Sequence, residues 1–367
     1  LEEVKRQLTD FGNQLGTATV TMHIGSTLAA EGRHKEAAQT FKAALAVGEA
    51  SSKEWDQKPE CLTCLGSALL ELKDAAAVPT LEQALVVWQE RGNRAGEAAL
   101  LMRLAEANLS LQSRELAFRQ VEQSLELRKV ISDRRGQADS LFLLGELHLA
   151  RGQTQLARDA YQEALELRSV LQDGFGRAEC LCALGKLDSE EGQFEAATAQ
   201  HREALKIRRE LDDLVGVAVS LDALAACCSK FGDVSGALAA YEECLAMMRS
   251  GKDGARESKC LLNIGACHAD QGDLNKAVEI FEQALVVARS CRDMADEAAC
   301  FCNIGSACVH LGQLERSLEC FDIGLRLLRQ VGDRKGEAEC LHNLGVAHFN
   351  DGRVEQATNV LNEALQI

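Results

Sequence analysis

Three asparagines recur at a fixed interval of 40 residues near the end of the chain, at Asn263, Asn303 and Asn343. Each of them stands two residues before a glycine. A primary amide carries two N–H donors and an acceptor oxygen, so it can pair with both polar groups of a peptide backbone. The ladder therefore indicates either a repeated binding position or a structural position that asparagine commonly fills.

The fifteen cysteines are the second group that could carry chemistry, as metal ligands or in disulfides. Candidate metal ligands that are neighbours in the sequence are Cys61 and Cys64, Cys227 and Cys228, and Cys267 and His268. No second C-x-x-C motif follows at the spacing of a zinc site. Several cysteines instead share one position of a repeat with serine, which is typical of a small packing slot: Cys180, Cys260, Cys300 and Cys340, with Ser140 and Ser220. We expect no metal site and no disulfide scaffold.

The chain lacks the short motifs that accompany common catalytic sites. It contains no G-x-x-x-x-G-K-[ST], G-x-S-x-G or H-E-x-x-H motif, and no G-x-G-x-x-G that follows a strand. The histidines are scattered among the repeats at His148, His268, His310, His342 and His348. We therefore predict a protein that is not an enzyme and that needs no cofactor.

A repeat of about 40 residues organises all of these positions. One small residue recurs at steps of 41, 39 and then 40 residues: Gly25, Gly66, Ala105, Gly145, Gly185, Ala225, Gly265, Gly305 and Gly345. In most copies an Ala or Ser follows twelve residues later and a bulky residue four beyond that, as at Ala277 and Phe281. The pattern predicts two helices per repeat that approach closely at the small residue, with the bulky side chain filling the gap beside it.

Two kinds of turn residue separate the predicted helices. A glycine falls where the first helix ends in a left-handed residue: Gly32, Gly152, Gly192, Gly232, Gly272, Gly312 and Gly352. The third repeat has Gln112 at that position. An aspartate falls at the other turn, where its side-chain oxygen caps the next helix: Asp133, Asp173, Asp213, Asp253, Asp293 and Asp333.

The repeat register divides the chain into two parts. Residues 1–12 resemble the end of a preceding repeat's second helix, and residues 13–367 form an array of nine repeats. We expect the array to be truncated at both ends, because the pattern starts and stops within a repeat. The second repeat, at about residues 52–92, is irregular: it carries a one-residue insertion and Pro59, which predicts a bend or looser packing.

The pattern resembles the tetratricopeptide repeat (TPR) family, in the 40-residue subgroup of the Pins/LGN-type adaptors. The stretch CLLNIGACHADQGDLNKAVEIFEQAL (260–285) is similar to that subgroup. The resemblance implies an all-α fold, a right-handed α-solenoid of antiparallel helix pairs. It further implies that first helices line a concave groove, which holds an extended or helical segment of a partner protein.

In this family the groove positions lie six, three and two residues before the small residue, and one and five after it. The asparagines two residues before it resemble the family's peptide-clamping asparagine. The subgroup uses Arg six residues before the small residue, where this chain has Glu60, Asp139, Glu179, Lys259 and Glu339. The groove candidates are Asn263, Asn303, Asn343, Lys259, Glu339, Asp222, Glu179, Lys186, Glu146, Asp139, Glu106 and Arg103.

Charge limits the class of partner. The 40 Lys and Arg against 56 Asp and Glu give a net charge of −16, which argues against nucleic acid. An acidic groove favours a basic or mixed-charge protein segment, although a solvated acidic face without a ligand has the same composition. The groove lacks the paired Lys and Arg of a carboxylate-clamp chaperone cofactor. No run of about 18 apolar residues is evident, so we expect no membrane insertion.

These observations predict a scaffold or adaptor that binds partner segments along its groove within a multiprotein complex. The cysteine usage and the lack of an apolar signal segment predict a cytoplasmic location. Family analogy adds a cytoskeletal or ciliary assembly as a setting. One alternative is a static architectural component that uses the edges and convex face of the array. Another is a ligand-sensing regulatory module of a larger signalling protein.

Overall fold

A computed structural model describes residues 1–51 and 53–367. Within these residues the chain forms nineteen α-helices and no β-strand. In chain order they are α1 (Glu2–Asp10), α2 (Gln14–Ala30), α3 (His34–Glu49), α4 (Lys58–Glu71), α5 (Ala77–Glu90), α6 (Arg94–Ser110), α7 (Arg114–Val130), α8 (Arg134–Ala150), α9 (Thr154–Val170), α10 (Gly174–Glu190), α11 (Phe194–Glu210), α12 (Leu214–Phe231), α13 (Val234–Gly251), α14 (Gly254–Asp270), α15 (Leu274–Cys291), α16 (Met294–His310), α17 (Leu314–Val331), α18 (Arg334–Asn350) and α19 (Val354–Leu365).

The helices pack in consecutive pairs within two compact units, Leu1–Cys180 and Leu181–Ile367. In the first unit α2 packs on α3 and α6 on α7, and in the second α14 packs on α15 and α16 on α17. The pairs are antiparallel. Near the start of α6, the carbonyl of Ala98 accepts a 2.8 Å hydrogen bond from Ser124, near the end of α7. Near the end of α6, Asn108 donates to Gln120, which lies in the first half of α7, over 2.9 Å. The predicted all-α fold of helix pairs is confirmed.

The turns between the helices form as predicted. The seven turn glycines have φ values between 71° and 85°, in the left-handed region that carries no Cβ penalty for glycine. Gln112 adopts the same conformation, with φ 61°, so the third repeat keeps the turn without glycine. At the other turn the predicted aspartates accept backbone N–H groups of the following helix, as Asp333 does from Gly336 over 3.0 Å.

The close approach of paired helices has the predicted geometry. A Cβ built on Gly265 would lie 2.4 Å from the ring of Phe281, so only glycine fits there against that ring. Gly185 and His201 form the same contact, at 2.7 Å. The shared cysteine position is also a packing slot, because its members are all buried: Cys180, Cys260, Cys300 and Cys340, with Ser140 and Ser220.

The irregular second repeat is held by an anchor that its sequence pattern does not predict. Its helices α4 and α5 have only 14 residues each, and Pro59 lies in the first turn of α4. Trp55, just before α4, is 3% exposed, and its ring Nε1 donates to Thr19 over 3.2 Å. Arg91 donates to the Trp55 carbonyl over 3.0 Å. At Trp55 the segment is therefore well packed, whereas the expected bend or looser packing of the repeat as a whole stays a prediction.

Within the described residues, α12 is the one helix that is long and apolar enough to cross a membrane, judged by length and composition. The helix is not an uninterrupted apolar run, because it contains Asp222 and Lys230. Half of this helix is buried inside the protein, and it packs against α11 and α13. A core helix passes the same test, and this packing accounts for its apolar residues.

His201 makes the stability of the repeat sensitive to acid. Its ring is 1% exposed. Burial, with Lys186 and Arg208 nearby, lowers its pKa from 6.5 to about 4. The unfolded chain therefore takes up this proton first as the pH falls. The contribution of neutral His201 to stability is complete above pH 6.5 and is lost progressively as the pH falls towards about 4.

We predict that His201→Phe removes this acid sensitivity, because phenylalanine fills the same position in other repeats, as at Phe281 and Phe321. Between pH 7 and pH 4.5 the wild-type free energy of unfolding should fall by up to about 3 kcal/mol more than that of the variant. Urea unfolding at several pH values measures the difference. His310→Phe, at an exposed histidine, is the control. Parallel pH profiles for His201→Phe and wild type would contradict the prediction.

Candidate functional site

The twelve predicted groove residues all lie on first helices of the repeats. Their charged side chains are exposed, whereas the three asparagines are half-buried. We call this set of positions the first-helix face. It comprises Arg103 and Glu106 on α6, Asp139 and Glu146 on α8, Glu179 and Lys186 on α10, Asp222 on α12, Lys259 and Asn263 on α14, Asn303 on α16, and Glu339 and Asn343 on α18. Contacts of α16 with both α14 and α18 bring the three asparagine-bearing helices together.

The side-chain amides of the asparagine ladder are only partly hydrogen-bonded within the described residues. The Asn343 amide nitrogen lies 3.5 Å from the Ser306 hydroxyl, which joins α18 to α16. Asn303 lines a cavity of about 290 Å³ with Asp270, Ser306 and other residues of α14 to α16. The amides of Asn263 and Asn303 make no side-chain hydrogen bond within residues 1–51 and 53–367. Half-buried amides in this state are suited to pairing with the backbone of a ligand.

In the first unit, a buried arginine partly compensates the charge of the predicted acidic groove. Arg168, near the end of α9, is 5% exposed. Its guanidinium lies 3.1 Å from the Glu179 carboxylate and 3.3 Å from that of Asp139. On α6, Glu106 is paired with Arg103 over 3.0 Å. The expectation of a strongly acidic face is therefore too simple for this unit, because charges from neighbouring helices compensate the acids.

Sequence reasoning missed this arginine, although it belongs to a ladder of its own. Arg128, Arg168 and Arg208 recur at 40-residue intervals near the ends of second helices and are all buried. Each one donates to the backbone carbonyl eight residues later, as Arg168 does to Gly176 over 2.8 Å. The interval was visible in the sequence, but the direction of these side chains was not.

The later repeats are joined to one another by a different interaction. Three exposed arginines lie one residue after the position of the buried ladder, and each pairs with a glutamate eight residues on. The pairs are Arg249–Glu257 and Arg289–Glu297, both at 2.8 Å, and Arg329–Glu337 at 2.7 Å. Arg329 donates to Glu337 and thereby lowers the pKa of that carboxyl.

In the second unit the first-helix face carries both signs of charge around a small cavity. The cavity has a volume of about 230 Å³ and is lined by Ala218, Val219, Asp222, Cys244, Arg256, Lys259 and Cys260. Partial desolvation raises the pKa of Asp222, while Lys186 and Lys259 oppose that shift. A ligand here meets one carboxylate between basic groups, which favours mixed charge over a purely basic segment.

The described residues contain no group of three His, Cys, Asp or Glu side chains placed to hold a metal ion. In the Cys61-x-x-Cys64 pair, Cys61 is buried and Cys64 is half-buried. Burial, with a smaller contribution from Cys64, raises the pKa of Cys61 to about 12. A thiol with this pKa is a poor source of the thiolate that a metal requires.

Comparison with known proteins assigns the repeat. The family pattern described as Tetratricopeptide repeat matches residues 96–169, 136–210, 177–250, 218–290 and 296–367, which together exceed half of the chain. A search by sequence among curated proteins gave no match.

Solved structures share the fold at low sequence identity. The apo form of RapI superposes with a TM-score of 0.71 at 13% identity, covering 95% of this chain and 96% of that one. The apo quorum sensor NprR from B. thuringiensis gives 0.64 at 15% identity, covering 89% and 94%. A Rap protein complexed with competence and sporulation factor gives 0.55 at 15% identity, covering 96% and 97%. At these identities the structures establish the fold alone, an all-α solenoid-like array.

We predict that Arg168→Met destabilises the first unit. The change removes the guanidinium hydrogen bond to the Gly176 carbonyl and unpairs Asp139 and Glu179. A hydrogen bond from a charged group contributes about 1.5–3 kcal/mol, which chemical unfolding would measure. Arg135→Met, at an exposed arginine on α8, should change stability by less than about 0.5 kcal/mol. Equal stabilities for the two variants would show that the buried guanidinium makes no net contribution.

Proposed function

The chain belongs to the tetratricopeptide repeat family, and we propose that it is a non-enzymatic scaffold or adaptor that binds a partner protein segment on its first-helix face. The observation that carries the proposal is the ladder of Asn263, Asn303 and Asn343. These amides recur once per repeat, are half-buried, and at Asn263 and Asn303 make no side-chain hydrogen bond within the described residues. A peptide in an extended conformation presents backbone groups that such amides can pair with.

The charge around this ladder supports a ligand of mixed charge. On the second unit, Asp222 lies near Lys186 and Lys259, and Glu339 is paired with Lys335 over 3.7 Å. On the first unit, Arg168 compensates Asp139 and Glu179. A ligand with separated acidic and basic residues matches this surface better than a uniformly basic one.

We propose a cytoplasmic multiprotein assembly, of cytoskeletal or ciliary type, as the setting of the protein. The resemblance of residues 260–285 to the Pins/LGN-type adaptors supports this setting. Glu339 and Asp139 stand where the subgroup has arginine, so the partner should differ from those of the subgroup in its charge pattern.

A regulatory sensing role is the second candidate. It is supported by the fold shared with NprR, a quorum sensor, and with a Rap protein in complex with competence and sporulation factor. In that role the amide ladder would hold a separate signalling molecule. Crosslinking mass spectrometry on the native protein distinguishes the two candidates, because an adaptor yields a protein partner crosslinked to α14, α16 or α18.

We predict that the triple variant Asn263→Ala, Asn303→Ala, Asn343→Ala loses this partner. If each amide contributes about 1 kcal/mol, binding should weaken by roughly 100-fold. Pull-down and titration calorimetry with the crosslinked segment measure the loss, and thermal unfolding checks that the fold is kept.

A matched control changes three exposed asparagines on second helices, Asn275, Asn359 and Asn362, to alanine. This control should bind normally. Unchanged binding in the ladder variant would reject the first-helix face and favour contacts through edges or second helices, as in a static architectural component.

A further inference from the structure

Two cysteines of consecutive repeats face each other in the second unit. Cys244 lies on α13 and Cys260 on α14, and their sulfur atoms are 3.4 Å apart. The Cys260 thiol donates to the Cys244 sulfur. A disulfide has an S–S distance of about 2.05 Å, so a small approach of the two side chains would join them.

Both thiols are reachable by small molecules although each is only 4% exposed. They line the cavity of about 230 Å³ whose other walls include the exposed residues Asp222, Arg256 and Lys259. Because a water molecule occupies about 30 Å³ in the liquid, this cavity has room for a small oxidant beside the two sulfur atoms.

We propose that Cys244 and Cys260 form a reversible disulfide site that is oxidised by a peroxide and reduced by a dithiol. In the first step the Cys244 thiolate attacks one oxygen of hydrogen peroxide, the O–O bond breaks, and the leaving hydroxide takes up a proton to give water. Cys244 is then a sulfenic acid. The Cys260 sulfur attacks the Cys244 sulfur, the S–O bond breaks, and the Cys260 proton leaves with the hydroxyl as a second water. Two thiols are oxidised and one peroxide is reduced.

The two cysteines have different roles in this sequence. The hydrogen bond from Cys260 lowers the pKa of Cys244, and Arg256 acts in the same direction, whereas burial, Asp222 and Glu243 act against it. The same hydrogen bond, together with burial, raises the pKa of Cys260. Cys244 is therefore the attacking thiolate, and Cys260 is the thiol that resolves the sulfenic acid.

The chain contains its own comparison for this arrangement. Cys300 occupies the position of Cys260 one repeat later, but Ala284 stands where Cys244 would be. Burial raises the pKa of Cys300 to about 12. Without a facing thiol and with this pKa, Cys300 should resist oxidation.

A second sulfur pair recurs two repeats after the first. There Gly324 takes the position of Cys244, and Cys302 on α16 occupies the space beside it. Cys340, the counterpart of Cys260, hydrogen-bonds to Cys302 and lowers its pKa. The test must therefore separate the two pairs by peptide mapping.

The test treats the reduced chain of residues 1–367 with hydrogen peroxide, alkylates the remaining thiols, and maps the peptides without reduction. We expect a crosslinked Cys244–Cys260 peptide that disappears on addition of dithiothreitol. Free thiol at Cys244 should be lost at least about tenfold faster than at Cys300.

Two variants keep the test interpretable. Cys244→Ala places the residue that several other repeats have at this position, such as Ala204 and Ala284, so it should fold. It should leave Cys260 as resistant to peroxide as Cys300. In the Cys300→Ser variant, which copies Ser220, the Cys244–Cys260 pair should be oxidised at the wild-type rate. The proposal is overturned if the Cys244–Cys260 peptide is absent while Cys302–Cys340 forms, or if Cys244 is oxidised only to the sulfinic acid.

Discussion

The close approach of two helices at one small residue is the constraint on which the rest of this structure depends. At Gly265 a single methyl group would overlap the Phe281 ring, and the same geometry recurs at Gly185 with His201. This contact determines which side of the first helix faces its partner. The 3.6-residue period then determines the direction of every other side chain on that helix. The residue two positions earlier is then half-buried, and the residue six positions earlier is exposed. The asparagine ladder and the charged positions owe their placement to this one contact.

The junctions between consecutive repeats are less uniform than the contact within a repeat. Two different interactions stabilise them. Three junctions use a buried arginine that donates to a backbone carbonyl, as at Arg168 and Gly176. Three others use an arginine–glutamate pair, as at Arg329 and Glu337. At Arg168 the first device brings positive charge to Asp139 and Glu179 of the first-helix face. The second device pairs an arginine with a glutamate and so compensates its own charge. In the first unit the charge of the face therefore depends on a second-helix residue as well as on its own side chains.

Most of the fold could be predicted from the sequence because its determinants are local. A turn glycine, a capping aspartate such as Asp333 and the small–bulky pair each act over a short stretch of sequence. Their spacing in the sequence is therefore enough to predict where the helices begin, end and pack. Gln112 stands at the register position of a turn glycine, and it adopts the left-handed conformation there without having been predicted to do so. The features that the sequence did not predict depend on side-chain direction across repeats. Arg168 reaches two carboxylates on other helices, and Trp55 anchors an insertion by bonding to Thr19. Periodicity reports where such residues stand but not what they contact.

The same distinction explains why the cysteines divide into inert and reactive sets. Cys260, Cys300 and Cys340 share one slot, and the slot itself favours only a small side chain. What differs is the residue opposite: Cys244, Ala284, or Gly324 with Cys302 beside it. Asn263 lies three residues after Cys260 on α14, and Asn343 lies three after Cys340 on α18, so each amide is one helical turn from a paired sulfur. A bond that drew α14 towards α13 would shift the turn that carries Asn263. The proposed disulfide and the proposed binding position would therefore act on the same helix.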